Sequence, residues 1–297
     1  MKIKITRRKF VADTFYAGAA LVFLRHLEAC SGATASGMKM GFVTYLWGQD
    51  WDLPTLLTNC EQTGLLGVEL RADHAHKVEI NLNPAQRADV KKRFEASPVT
   101  CLGYGSNFEY HSPDPEEVRR NIEGTKEYIL LCRDIGATGI KVKPNGIPAD
   151  VPREKTIEQI AASLNECGRF AQDYGQLIRV EVHGNISQEI PNMRAIFDQV
   201  TEKNVRMCWN CNDQDLLPPG LDENFRSVNE YFGDTVHIRE LNEGTYPYQQ
   251  LFNLLTEMKY KGWILLEART NPPDRVAAMK EQHTLFNKMI ETASISV

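Results

Sequence analysis

IRVEVHG (178–184), RMCWNCND (206–213), TVHIREL (235–241) and WILLEAR (263–269) are four short apolar runs, and each closes on a metal-type side chain. Those side chains are Glu181, Asn210, His237 and Glu267, spaced 29, 27 and 30 residues apart. That interval is the length of one strand–loop–helix–loop unit. Four adjacent parallel strands of one barrel would bring the four tips together on a single ion.

The rest of the chain extends the pattern in both directions. Short runs rich in Val, Ile and Leu predict strands over 40–46, 67–71, 99–103, 139–143, 177–182, 205–209, 235–239 and 263–267. Helical spacing of apolar residues predicts helices over 52–63, 84–96, 115–135, 154–174, 191–200, 222–231, 246–258 and 274–290. Pro84 and Pro191 stand where a first helical turn accepts proline. Gly64, Gly136, Gly175 and Gly262 stand where a left-handed residue would end a helix. Eight such units in about 260 residues give an α/β fold, a (β/α)8 TIM barrel, as one domain over 37–297. An open doubly wound sheet is the alternative, but no Gly-x-Gly-x-x-Gly follows any strand.

Residues 1–36 read as a leader. Thr6-Arg7-Arg8-Lys9-Phe10-Val11 looks like a twin-arginine export signal, and Phe15 to Leu24 is a short apolar core. Leu27-Glu28-Ala29-Cys30 resembles a lipoprotein box that would acylate Cys30, although Glu28 is unusual there. Ala33-Thr34-Ala35 offers an ordinary cleavage site instead. The expectation is export to the periplasm, with a lipid anchor on Cys30 as a variant of it. A net charge of −5 without a basic run argues against nucleic acid as a partner. No stretch reaches the roughly 18 apolar residues that cross a bilayer.

Seven cysteines in an exported protein invite disulfides, but most lie in runs that read as buried helix or strand. Cys208 and Cys211 form a CxxC at a strand end, where residues three apart face opposite sides. The expectation is free, buried thiols.

Residues two apart on a strand share a face, and polar residues recur in such pairs at the strand ends. The pairs are Glu69/Arg71, Lys141/Lys143, Glu181/His183, Asn210/Asn212, His237/Arg239 and Glu267/Arg269. Charges inside a barrel are costly unless paired or metal-bound, so these pairs predict one polar pocket at the C-terminal mouth. Two carboxylates, an imidazole and an amide oxygen suit Mn²⁺ or Mg²⁺, with Co²⁺, Fe²⁺ or Ni²⁺ also compatible. An ion-pair network of Glu181, Arg239, Glu267 and Arg269 without metal is the competing reading.

These motifs resemble the xylose isomerase-like barrel superfamily, the sugar phosphate isomerase/epimerase group, over about residues 38–293. The pieces that carry the resemblance are GVELR, VEVHG, CWNCND, HIRE and LLEAR. The group also includes ketose 3-epimerases, inosose dehydratases and endonuclease IV-type repair enzymes. In its epimerase branch Glu, Asp, His and Glu hold one divalent ion, which implies Glu181, position 210, His237 and Glu267 as ligands. Position 210 is Asn where that pattern has Asp, and Asp213 stands where it commonly has His. Asp213 is thus a second candidate for the fourth ligand, or a substrate contact.

The resemblance implies proton abstraction beside a carbonyl of a carbohydrate, with Glu181 and Glu267 as the acid/base pair. Lys143, His183 and Arg269 are expected to orient hydroxyls or an enediolate oxygen, with Arg71, His76, Asp213 and Arg239 as further substrate contacts. Trp47, Tyr104, Phe108 and Trp209 are candidates to stack on a sugar face. Export favours an unphosphorylated sugar or glycoside, and the outcome is isomerisation or epimerisation. A lyase or hydrolase acting on a 3-keto-glycoside is the alternative. A non-catalytic carbohydrate-binding barrel and an endonuclease IV-type phosphodiesterase are the more remote ones.

The Asn at position 210 generates a test. Asn210→Asp adds a negative charge to the ligand set and should tighten Mn²⁺ binding while making the ion a weaker Lewis acid. Unchanged or weaker affinity on titration would remove Asn210 from the ligand set.

Overall fold

The structure, a computed structural model, describes residues 37–295. The twin-arginine motif, the apolar core of the leader and Cys30 lie outside the described residues. Eight parallel strands close into a barrel. They are β1 (Lys39–Val43), β2 (Gly67–Arg71), β3 (Thr100–Glu109), β4 (Gly139–Lys143), β5 (Leu177–Glu181), β6 (Val205–Asn210), β7 (Phe232–Ile238) and β8 (Trp263–Leu266). Each strand pairs with its sequence neighbours, and β8 returns to β1 with Met40 opposite Ile264.

Helices follow the strands on the outside: α1 (Leu53–Thr63), α2 (Pro84–Glu95), α3 (Pro115–Asp134), α4 (Arg153–Gln172), α5 (Ile190–Phe197), α6 (Leu221–Val228), α7 (Tyr248–Glu257) and α8 (Arg275–Ile295). Their starts have local causes. Asp52 and Asp114 accept from the amides of Thr55 and Glu116, and Asn83 with Gln86 forms a reciprocal capping box. The main core lies between the strands and the helices. Leu56, Cys60, Ile129, Cys132, Ile160 and Leu255 are among its fully buried members. All six cysteines among the described residues are free and buried. No helix among the described residues is long and apolar enough to cross a membrane.

Gly64, Gly136 and Gly175 take the left-handed conformation expected of them, but Gly262 does not. Lys259, at φ 57°, makes the left-handed turn after α7 instead. Gly262 is there for clearance: a Cβ on it would lie 2.6 Å from the Asp234 carbonyl oxygen. The strand starts that close to its neighbour.

β3 outruns its expected end and reaches Glu109, while β4 and β5 are prolonged by a two-residue parallel bridge. In that bridge Asn145–Gly146 pairs with Gly184–Asn185. One rim of the mouth is therefore taller than the other.

Candidate metal centre at the barrel mouth

The alternation of β5 builds the site in layers. Arg179, Glu181 and His183 are two apart and share the inward face. Arg179, buried, grips the Asp234 carboxylate with Nε and Nη2, both at 2.7 Å. Its Nη1 donates to the Leu102 carbonyl and its Nη2 also to the Thr138 hydroxyl. A guanidinium fork satisfied on this scale seals the barrel beneath Glu181.

The middle layer is charged and almost dry. Lys141, with no exposed surface, places Nζ 2.5 Å from Glu181 Oε2. Glu181 Oε1 accepts from Asn210 Nδ2 at 3.1 Å and lies 3.6 Å from His237 Nδ1. The other ring nitrogen of His237, Nε2, is 3.4 Å from Glu69 Oε1. Asn210 and His237 are direct partners across β6 and β7, which is why both face the interior at one level. Glu267 enters from just past β8, where its amide continues the ladder to the Ile238 carbonyl. Its carboxylate lies 3.7 Å from Arg71 Nη1 and 3.4 Å from Arg269 Nη2.

Glu181, His237 and Glu267 each offer a ligand atom, and these atoms lie within 4.8 Å of one another. His237 is completely buried, yet neither ring nitrogen has a hydrogen-bond partner, and Glu69 Oε1 has none either. Buried polar atoms left in this state cost free energy unless something fills the gap. A divalent ion between Glu181, His237 and Glu267 would do so, with the amide of Asn210 at the edge of the same cup. Glu69 then matches the carboxylate that commonly faces the second nitrogen of a metal-bound imidazole. The donor set fits a hard to borderline ion.

Charge in the cup is tuned by contact. Burial alone would push the Glu181 carboxyl up, but Lys141 and His237 hold it well below the usual carboxylate range. Burial would lower His237, while Cys208, Glu69 and Glu181 hold it well above the ordinary imidazole value. Burial lowers Lys143 and His183.

The structure places the other sequence candidates unevenly. Arg71 and Arg269 flank Glu267; Lys143 lies 3.6 Å from Glu109, and His183 Nδ1 is 2.7 Å from Asn145 Oδ1. Arg239 lies within electrostatic reach of Asp215 and Tyr248, at the β6–β7 side of the mouth. Asp213 is exposed at the start of a 3-10 turn (Asp213–Leu216) and is not in the ligand group, which corrects its candidacy as fourth ligand. His76 is a second correction. Its Nε2 engages the Arg71 carbonyl and its Nδ1 accepts from the Val78 amide, so both nitrogens brace the loop behind Arg71 rather than face a substrate. Trp47, Tyr104 and Trp209 are buried, and Phe108 packs on Tyr128, so these rings are packing elements.

Residues that were not singled out complete the arrangement. Glu69 and Lys141 belonged to the polar pairs, and their alternation was the available signal. Asn212 donates to the carbonyls of Val182 and Asn210, tying the ends of β5 and β6 that carry Glu181 and Asn210. Buried Asp215 accepts from the Asn212 amide and the Tyr246 hydroxyl through Oδ2, leaving Oδ1 without a partner. Burial pushes its carboxyl up to about 7. Glu240 Oε1 accepts from both amides and the hydroxyl of the Arg269-Thr270 pair and so fixes the loop after Glu267.

An eight-stranded α/β barrel with an ion-ready acidic cup at the C-terminal ends of its strands is the class defined by this fold and site. The chain belongs to the xylose isomerase-like TIM barrel family, whose model matches residues 57–289. Similar solved structures include an L-ribulose 3-epimerase at 17% identity and TM-score 0.74, covering 87% of this chain and 96% of that one. A 3-keto-D-glucoside 4-epimerase, YcjR, from E. coli aligns at 14% identity and TM-score 0.68, over 84% of this chain and 99% of that one. The IOLI protein with a bound zinc atom aligns at 14% identity and TM-score 0.68, over 87% and 97%. At these identities the likeness is one of fold.

Two outcomes follow from the geometry. Asp215 is neutral in the fold over a range where the unfolded chain, with an ordinary carboxyl near 4, has already ionised. The unfolded state then binds fewer protons, so stability falls as pH rises from about 4 to about 7. Asp215→Asn should flatten that part of the melting-temperature profile; an unaltered slope would place the titration elsewhere. Lys141→Met removes the cation that competes for Glu181 and should tighten Mn²⁺ binding by roughly tenfold or more. It should also make thermal stability more dependent on added metal. Titration calorimetry showing weaker binding would mean that Lys141 holds Glu181 in place for the ion rather than opposing it.

Proposed function

We propose that this chain is a divalent-metal-dependent sugar epimerase or isomerase acting on an unphosphorylated sugar or glycoside in the periplasm. The buried trio of Glu181, His237 and Glu267, with both imidazole nitrogens unpartnered at the mouth of the barrel, carries the reading. Epimerases that share the fold support it, among them an L-ribulose 3-epimerase and a 3-keto-D-glucoside 4-epimerase. The export motif near the N-terminus supports the compartment. A phosphate group would need free cations, whereas the buried Lys141 is committed to Glu181 and Arg71 is paired with Glu267. That favours a neutral sugar.

Glu181, Asn210, His237 and Glu267 would hold the ion, with Mn²⁺ or Mg²⁺ best matched to the oxygen-rich set. A bound divalent cation supplies Lewis acidity at a carbonyl and its neighbouring hydroxyl. Glu181, held ionised beside Lys141, is ready to take the proton from the carbon next to that carbonyl. The Lys141 ammonium keeps Glu181 ionised until the proton is transferred. Glu267, nearer the opening and steered by Arg71 and Arg269, would take a proton from solvent at the mouth and return it to the opposite face or the adjacent carbon, while Glu181 would release its own to solvent. Those two returns correspond to epimerisation and isomerisation. Arg269 and Lys143 stand at the rim where substrate oxygens enter, positioned to donate hydrogen bonds to developing negative charge.

Incubation with free ketoses, phosphorylated ketoses and 3-keto-glycosides, with Mn²⁺ or after chelation, tests this reading. Metal-dependent conversion of an unphosphorylated substrate, with solvent hydrogen entering at the epimerised carbon, is expected. Cleavage of the 3-keto-glycoside would assign elimination instead, and activity only on phosphorylated sugars would contradict the substrate class. Glu181→Gln and Glu267→Gln should each lower kcat by about a hundredfold or more with the fold retained. Near-normal turnover in either variant would remove that residue from the acid/base pair.

A further inference from the structure

Beside the metal cup, three adjacent strand ends carry a hydrogen-bond chain that proton transfer between the glutamates does not use. Glu109 ends β3, Asn145 follows β4 and His183 follows β5. Glu109 Oε1 accepts from Asn145 Nδ2, and Asn145 Oδ1 lies 2.7 Å from His183 Nδ1. Only one placement of hydrogens serves the whole chain. A carboxylate only accepts, so the amide turns its NH2 to Glu109 and its oxygen to the imidazole. An amide oxygen also only accepts, so Nδ1 of His183 must carry the hydrogen. In the neutral ring Nε2 is then a bare lone pair, and it makes no hydrogen bond among the described residues.

The backbone is distorted to make this contact. Asn145 sits at φ 66°, a left-handed conformation that a side-chain-bearing residue adopts at a cost. Its bridge to Gly184–Asn185 is so close that a Cβ on Gly184 would lie 2.3 Å from Asn145 Cα. Gly184, at φ 107°, is therefore required by both space and conformation. Glu109 is in turn held near Lys143 Nζ at 3.6 Å and His111 Nδ1 at 3.8 Å. Strained backbone that survives this way marks sites where exact placement of a side chain matters. The placed side chain is His183, which shares the inward face with Glu181 and lies within electrostatic reach of Glu181, Lys141, Lys143 and Glu267.

We propose that Glu109 and Asn145 are positioning residues that lock His183 in its Nδ1–H form, so that Nε2 accepts a hydrogen bond from a substrate hydroxyl outside the metal-bound pair. This rests on the reading of the mouth as a sugar site and adds a specificity element to it. A substrate must bring a hydroxyl donor to this rim. A deoxy or O-alkylated analogue would leave the imidazole lone pair desolvated and unpaired, which is how a site rejects a substrate lacking one hydroxyl.

The test is nitrogen-15 NMR of the histidine rings in the full-length protein with Mg²⁺ added, with His183 assigned by its loss in His183→Gln. The wild-type ring should show a protonated Nδ1 and a bare Nε2. Asn145→Gly keeps the left-handed backbone and deletes the amide, and should move the ring toward the Nε2–H form. Glu109→Ala, at a partly exposed strand end, frees the amide to turn over and should give a mixture of the two forms. If Asn145→Gly does not fold, Glu109→Ala answers the question alone. A wild-type ring protonated on Nε2, or a ring unchanged in the folded variants, would overturn the proposal. Ring protonation is read without turnover, so a failure of the epimerase reading leaves this result interpretable.

Discussion

A charge inside a protein persists only when another charge or an ordered set of hydrogen bonds answers it, and this barrel stacks several such charges along its axis. The contact between Lys141 and Glu181 at 2.5 Å is the centre of that stack. Below it, Arg179 and Asp234 neutralise each other; above it, Arg71 and Arg269 attend Glu267. Among the described residues, both ring nitrogens of His237 and Oε1 of Glu69 are buried in this column without a hydrogen-bond partner. The vacancy in the hydrogen-bonding scheme thus falls where the ligand geometry converges. One constraint, neutralising a dry polar column, accounts for both the packing of the barrel and the position of its chemistry.

Much of this was legible in the sequence, because barrel strands announce themselves by apolar runs and their tips by polar residues two apart. The even spacing of Glu181, Asn210, His237 and Glu267 was enough to place them on consecutive strands, and helix boundaries fell within a few residues of prolines and glycines. Other features depend on distances that no spacing encodes. Asp213 follows Asn210 closely in sequence, but the chain turns into a 3-10 helix there and leaves it exposed. Asp215, two residues on, is buried because the same turn swings it under Tyr246. His76 resembled a pocket residue because it follows β2, yet its loop folds back and uses both ring nitrogens. The wide aromatic rings at strand ends were needed as packing volume.

The rim is asymmetric in a way that bears on selectivity. On the β3–β5 side, an extended β3, a strained Asn145 and a close-packed Gly184 form a rigid wall that aims His183. On the β7–β8 side, Glu240 fixes the loop after Glu267, while the Arg269 side chain remains partly exposed at the rim. A fixed acceptor facing partly exposed cations suits a polyhydroxylated ligand that must present one hydroxyl in a defined place. The Asn at position 210 and the ammonium of Lys141 together make the cup less negative than three carboxylates would. Under the proposed reading, an ion held there would be bound more weakly and would polarise its ligands more strongly.

Anomalous scattering at the manganese edge from a crystal soaked in Mn²⁺ tests the central claim most directly. The account predicts a single strong peak bounded by carboxylate oxygens of Glu181 and Glu267, Nδ1 of His237 and the side-chain oxygen of Asn210, at ordinary ligand distances of about 2.0–2.4 Å. It also predicts that Lys141 Nζ has moved off any Glu181 oxygen bound to the ion. A crystal that takes up Mn²⁺ elsewhere, or not at all while the Lys141–Glu181 contact stays closed, would contradict it.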